Sequence, residues 1–298
     1  MSFNNIIGNQ DAKDYLINSI EFNNILHSYL FVGTDGIGKK MIAVEFAKRI
    51  LCLNKKEECT CKSCISFDGR NHPDFYMIDE EDNIKVEVVR NLTEKVYEKP
   101  ILSDKKVYII NDCEKMTVEA QNCLLKTLEE PPEFVVIILI TSKENLLLNT
   151  IKSRCMSIKF KNIDEKSLLD YCEKELNMTD ISSNMLKAFD GSIGKAIKLK
   201  DYEEKYSEIE KFVLNIENSS IIDVMQHKSI LEKDSINDIL EYIIVCLYSK
   251  ANNIKYLNCI KHVNDCMDRL RSYSNYDMTI DNLLFKMWEE LNENSNRC

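Results

Sequence analysis

Phe31-Val32-Gly33-Thr34-Asp35-Gly36-Ile37-Gly38-Lys39-Lys40 gathers three of the chain's seven glycines into six positions. Such crowding needs a backbone reason. Gly33, Gly38 and Lys39 fit the GxxxxGK pattern of a phosphate-binding loop, in which glycines let backbone N–H groups curl around phosphate oxygens and the lysine reaches the outer phosphates. Gly36 lies inside the same curl. The flanks agree: Tyr29 to Val32 reads as a buried strand, and Met41 to Leu51 carries Ile42, Phe46 and Ile50 at helical spacing, so the loop meets a helix N-terminus, where an anion is favoured. The residue after the lysine departs from the pattern. A hydroxyl that binds Mg²⁺ is expected there, and the chain has Lys40, so the loop suits phosphate better than metal.

Further along, Lys106-Val107-Tyr108-Ile109-Ile110-Asn111-Asp112 reads as a parallel strand opening onto polar residues. In an active ATPase of this kind an Asp holds Mg²⁺ through water and a following Glu polarises the attacking water. Asn111 and Asp112 stand at those positions. An amide is a weaker magnesium partner than a carboxylate, and Asp reaches one methylene less than Glu, so hydrolysis loses two supports. Thr117 to Glu130 spaces Ala120, Leu124 and Leu128 on one helical face before Pro131-Pro132 stops it. Phe134 to Ile140 is a fully apolar strand released at Thr141-Ser142, and hydroxyls at a strand's carboxyl end lie on the ligand edge of such a sheet. Thr150 to Cys155 then leads into Met156 to Phe160, whose alternation predicts a last strand, with Arg154 exposed just ahead of it.

Before these elements, Ile6-Ile7-Gly8-Asn9-Gln10 precedes a helix through Tyr15, Leu16 and Ile20. Phe75 to Ile78 reads as a strand, and Ile84 to Tyr97 as a helix ended by Pro100. Between them Cys52, Cys59, Cys61 and Cys64 fall within thirteen residues, among lysines and glutamates that offer no apolar core. Four thiolates so close suit tetrahedral Zn²⁺, which would staple a small insertion otherwise too polar to fold. His72, between Asn71 and Pro73, reads as a turn residue rather than a fifth ligand.

A length of 298 residues with 44% hydrophobic content predicts two or three folded domains. The net charge of −10 argues against a stand-alone nucleic-acid binder, which needs a basic surface. The start of the chain lacks a basic segment followed by an apolar one, and the longest apolar run, Phe134 to Ile140, is far too short to span a bilayer. The expected location is therefore the cytoplasm, away from membranes, where the twelve cysteines are reduced thiols or metal ligands. From Asn162 onward there is no proline, and Ile236 to Tyr248 and Leu283 to Leu291 carry helical periodicity, so this part reads as helical throughout.

His27-Ser28-Tyr29-Leu30-Phe31, the Gly33 to Lys39 loop, the four cysteines, His72-Pro73-Asp74, Leu124 to Pro132 and Ser153-Arg154-Cys155 together resemble the delta-prime subunits of bacterial DNA polymerase III clamp loaders. The order and spacing of these pieces over residues 1–160 carry the resemblance. It implies an AAA+ fold: an α/β P-loop domain with a parallel sheet over residues 1–161, holding the cysteine insertion at 52–64, then a small helical lid over 162–203 and an all-α collar over 204–298. It implies structural zinc on Cys52, Cys59, Cys61 and Cys64, and a degenerate nucleotide site, for ATP or ADP, at Gly33, Gly36, Gly38, Lys39, Lys40, Asn111, Asp112 and Thr141. Arg154, beside Ser153, would reach a neighbouring subunit's ATP as an arginine finger. The partners implied are gamma/tau motor subunits and the delta subunit, with the sliding clamp and primed DNA met through the assembly.

A motor subunit would need Ser or Thr at 40, Asp at 111 and Glu at 112, and this chain has none of them. Gly191-Ser192-Ile193-Gly194-Lys195-Ala196 resembles the second sensor of such subunits, with Gly194 where an active one places an arginine. The reading is thus a subunit without ATP turnover of its own. Its rivals are a gamma/tau-type ATPase, kept open by Lys39 and the intact glycines, and a zinc-stapled scaffold with no nucleotide.

Overall fold

The computed structural model describes residues 3–292 apart from 57, 179, 180, 201, 202, 252 and 273. They form two compact units. The first takes the chain up to Leu168 together with Ser192–Gly194, and the second takes Leu169–Gly191 and the chain from Lys195 onward.

In the first unit, β1 (Ser28–Val32), β2 (Phe75–Ile78), β3 (Lys106–Ile110), β4 (Val135–Thr141) and β5 (Met156–Lys159) make one sheet in the order β2-β3-β4-β1-β5. Every pairing is parallel. The apolar runs of β3 and β4 are buried along their whole length, as strands covered on both faces must be. Alternation along each strand decides which layer a side chain joins. Tyr29, Phe31, Val107, Ile109, Val136 and Ile138 pack with α1 (Gln10–Glu21) and α2 (Lys39–Leu51). Leu30, Tyr108, Ile110, Ile137 and Leu139 pack with α4 (Val86–Val96) and α5 (Val118–Glu129) on the other face, and the short α3 (Lys62–Asp68) lies between α2 and β2 in the chain.

Two helix starts bear on function. α2 begins at Lys39, two residues ahead of the expected Met41, because Gly38 turns the chain at φ +93°, where an L side chain is strained. α5 is capped by Thr117, whose Oγ1 accepts from the Ala120 N–H at 3.2 Å. Its last residue is Glu129, and Pro131-Pro132 follows after the intervening Glu130. The short α6 (Asn149–Lys152) then leads into β5.

The second unit is helical, as expected from its periodicity; among the described residues no strand follows Lys159. Its core forms where α7 (Ile236–Tyr248), α8 (Ile254–Arg271) and α9 (Tyr276–Asn292) bury Leu240, Ile243, Leu247, Val263, Leu284 and Met287. Among the described residues, no helix is long and apolar enough to cross a membrane.

Candidate functional site

The glycine-rich loop leaves β1 at the carboxyl edge of the sheet, between β4 and β5, where the order of strands changes direction. Gly33 donates its N–H to the carbonyl of Thr141, 3.3 Å away at the end of β4, so Thr141 anchors the loop through its backbone. Its hydroxyl accepts from the Lys143 N–H at 3.0 Å, capping the strand end. Lys39 is buried, and its Nζ donates to the carbonyls of Gly33 and Thr34, each at 2.7 Å. Burial pushes this amine below its ordinary value, against the opposing pull of Asp35, Glu114 and Asp112. The Asp35 carboxylate takes the Gly36 N–H at 2.9 Å, and the Gly36 carbonyl accepts from Gly194.

The altered positions meet in space. The Lys40 ammonium is ion-paired with Asp79, and the same carboxylate accepts the Asn111 side-chain N–H at 2.8 Å. The hydrogen bond from Lys40 holds Asp79 below the usual carboxylate range; burial works against it and Asn111 reinforces it. Magnesium requires oxygen ligands at about 2.1 Å. Here the position expected to supply a hydroxyl supplies a cation, and the Asp79 carboxylate is already occupied by it, so Lys40, Asp79 and Asn111 do not fit the metal. Asp112 is not bonded to this group: it adopts the left-handed conformation at φ +46° and pairs with Lys115 at 3.1 Å.

Asp79 was not legible as a site residue, because strand pairing and not a local pattern brings it to Asn111. β2 and β3 run in register with Ile78 opposite Ile110, so the residues that follow, Asp79 and Asn111, leave the sheet side by side.

Arg154 is only partly exposed. Its carbonyl accepts from Ser28 Oγ at 2.7 Å, Nη1 donates to the Thr150 carbonyl at 2.9 Å, and Nη2 meets Glu129 Oε1 at 2.6 Å. Ser153 Oγ donates to the Thr150 carbonyl at 3.2 Å and lies 3.4 Å from Arg154 Nη1. The sequence marked Ser153 and Arg154 but not Glu129 as a partner, since 25 residues separate the pair.

The four cysteines come together despite the tight Cys59-Thr60-Cys61 spacing, with their sulfur atoms all within 4.8 Å of one another. Zinc–sulfur bonds of about 2.3 Å place tetrahedral sulfurs about 3.8 Å apart, so a small contraction closes the set on an ion. Such a cluster could hold a metal such as zinc. Burial alone would raise the Cys61 thiol, but hydrogen bonds from the Cys64 and Leu53 backbone and from the Cys64 and Cys59 thiols outweigh it and lower it to about 6. Burial and the neighbouring sulfurs push Cys64 up instead.

His72 does more than make a turn. It is buried, its Nε2 lies 2.9 Å from Ser63 Oγ, and its Nδ1 accepts from the Asp74 N–H at 3.0 Å. Asp74 in turn accepts from the amides of Ile101, Leu102 and Ser103 at 2.7 to 2.8 Å. Ser63 lies between Cys61 and Cys64, so this chain of bonds ties the cysteine segment to the loop before β3.

Comparison with known proteins adds to this geometry. A family model described as "DNA polymerase III, delta subunit" matches residues 8–164. DNA polymerase III subunit delta' of Bacillus subtilis is 35% identical over 195 residues, covering 63% of this chain and 58% of its own length. Subunit tau/gamma of Haemophilus influenzae is 34% identical over 209 residues, covering 67% of this chain and 30% of its own. Subunit gamma/tau of Mycoplasma genitalium is 31% identical over 245 residues, with 79% of this chain and 40% of its own length covered. The chain thus spans between 30% and 58% of the length of these relatives. Among solved structures, a gamma subunit-related protein from Thermotoga maritima has a TM-score of 0.56 at 18% identity, covering 94% of this chain and 100% of that one, a likeness of fold. The resemblance drawn from motif order over residues 1–160 therefore holds, and so does the fold class: a parallel α/β AAA+ domain followed by helices.

Proposed function

We propose that the chain, which belongs to the DNA polymerase III delta subunit family, is a clamp-loader subunit of the delta-prime type that does not turn over ATP and lends Arg154 to the ATP site of a neighbouring subunit. The observation that carries the first half is the Lys40–Asp79–Asn111 group. A tethered ammonium stands where the magnesium-binding hydroxyl is expected, and like charge repels the ion that phosphoryl transfer needs. The second half rests on Arg154, whose guanidinium is always charged and can neutralise charge that develops on a transferred phosphoryl group.

The family's organisation accompanies this reading: an AAA+ domain over 1–161, a lid over 162–203 and a collar over 204–298. Cys52, Cys59, Cys61 and Cys64 hold structural zinc, while Gly33, Gly36, Gly38, Lys39 and Thr141 are the remnant of a phosphate site for ATP or ADP. The partners are gamma/tau and delta subunits in the cytoplasm, and the assembly loads a sliding clamp onto primed DNA.

The test reconstitutes the assembly with its ATPase subunits. Arg154→Ala should leave the chain folded and lower the assembly's ATPase about tenfold or more. An unchanged rate removes the finger role. A second reading, an ATPase of gamma/tau type, is favoured by the intact glycines and Lys39 and by relatives that carry that name. Magnesium-dependent turnover by the isolated chain, abolished by Lys39→Ala, would establish it instead.

A further inference from the structure

Arg154 is tied at both ends by residues outside its own motif. Its backbone is fixed by Ser28, a buried residue of β1 whose hydroxyl donates to the Arg154 carbonyl at 2.7 Å. Its N–H donates to the Ile151 carbonyl at 3.0 Å. At the other end Nη2 meets Glu129 Oε1 at 2.6 Å, and Nη1 meets the Thr150 carbonyl at 2.9 Å. Glu129 is itself well placed to hold a direction, because it is the last residue of a helix capped at its start by Thr117 and followed by two prolines. A cation at that point is favoured by the carboxylate and by the negative end of the helix.

We propose that Glu129 is a positioning residue, which holds the Arg154 guanidinium in the orientation that meets the neighbour's phosphate. This rests on the finger role given above. A guanidinium carries five N–H donors, and the bonds to Glu129, Thr150 and Ser153 leave Nε–H and a further Nη2 proton for an incoming oxygen. An unrestrained arginine loses rotamer freedom when it docks; one already held loses less, and so reaches the reacting geometry more often. The Arg154 and Glu129 side chains are 33% and 49% exposed, so the pair is accessible to a neighbour and loose enough to adjust as it docks.

The reconstituted assembly is assayed with wild-type chain, Glu129→Gln, Arg154→Ala and the double variant, each checked for an unchanged thermal midpoint. Glu129→Gln should lower kcat about two- to fivefold with KM for ATP unchanged, the range an exposed ion pair supports. The defect should shrink as salt rises, because the wild-type pair is then screened. The double variant should match Arg154→Ala alone, since Glu129 acts only through the arginine. If Arg154→Ala lowers the rate while Glu129→Gln leaves it unchanged or raises it, Glu129 does not position the finger. A loss in the double variant that exceeds that of Arg154→Ala has the same meaning, because it marks a role independent of Arg154. If Arg154→Ala itself changes nothing, the finger reading falls and this inference falls with it.

Discussion

Gly36 and Gly194 meet backbone to backbone: the Gly194 N–H donates to the Gly36 carbonyl at 2.9 Å, and a Cβ on Gly194 would stand 2.7 Å from Gly36 Cα. Gly36 also needs its φ of +74°, so the glycine loop is shaped from within and held from Ser192 and Gly194. A side chain at 194 has backbone in its way and no flexible neighbour to displace. Gly194→Ala should therefore cost about 1–3 kcal/mol, the usual range for overpacking, measured from the urea midpoint at constant slope.

Lys40 should make nucleotide binding indifferent to magnesium. Whatever affinity the loop has for ADP is expected to be the same in Mg²⁺ and in EDTA, because a tethered ammonium occupies Asp79 and repels the ion. Lys40→Thr frees the carboxylate and restores a hydroxyl, and should make affinity rise with Mg²⁺ by about fivefold or more, the lower end of ordinary coupling between bound species. Calorimetric titration in both buffers decides it. A wild-type chain whose affinity climbs with magnesium contradicts the assignment.

His72 gives the fold an acid-sensitive point. Burial lowers its pKa below the ordinary 6.5, against the pull of Asp74, so the folded chain keeps it neutral where the unfolded chain protonates it. Its stabilising contribution is full above pH 6.5 and drains away as pH falls from there to the folded pKa. Denaturation midpoints between pH 8 and 5 should drop through that window. His72→Ala should flatten the drop and cost about 1–3 kcal/mol at pH 8, because Ser63 and the Asp74 N–H lose their partner.

Metal analysis should find one zinc per chain on the cysteine cluster. Cys61→Ser is expected to abolish it and to loosen the segment around α3, seen as faster amide exchange there, while the β3–β4 core stays protected. Chelation of the wild-type chain should reproduce the variant's exchange pattern. Full protection after complete metal removal would mean that the segment is held by hydrophobic contacts and by His72 alone.

The amino-acid order by itself determined the five strands, the loop after the first of them, the helices flanking it and the helical character of everything past Asn162. Each of these follows from local causes: apolar period, glycine crowding, and proline as a stop. It also marked Lys40, Asn111 and Asp112 as departures from an active site. Only the tertiary structure decided what the departures do together. Asp79 joins Lys40 to Asn111 because β2 pairs with β3 in a register that no local pattern encodes, while Asp112 turns to Lys115 instead. Glu129 reaches Arg154, and His72 reaches Ser63, across separations of 25 and 9 residues. Side-chain partnership of that kind depends on which elements the sheet order makes neighbours. Parallel strands joined by crossing helices bring together residues far apart in the chain, so their charges compensate one another only once the sheet has formed.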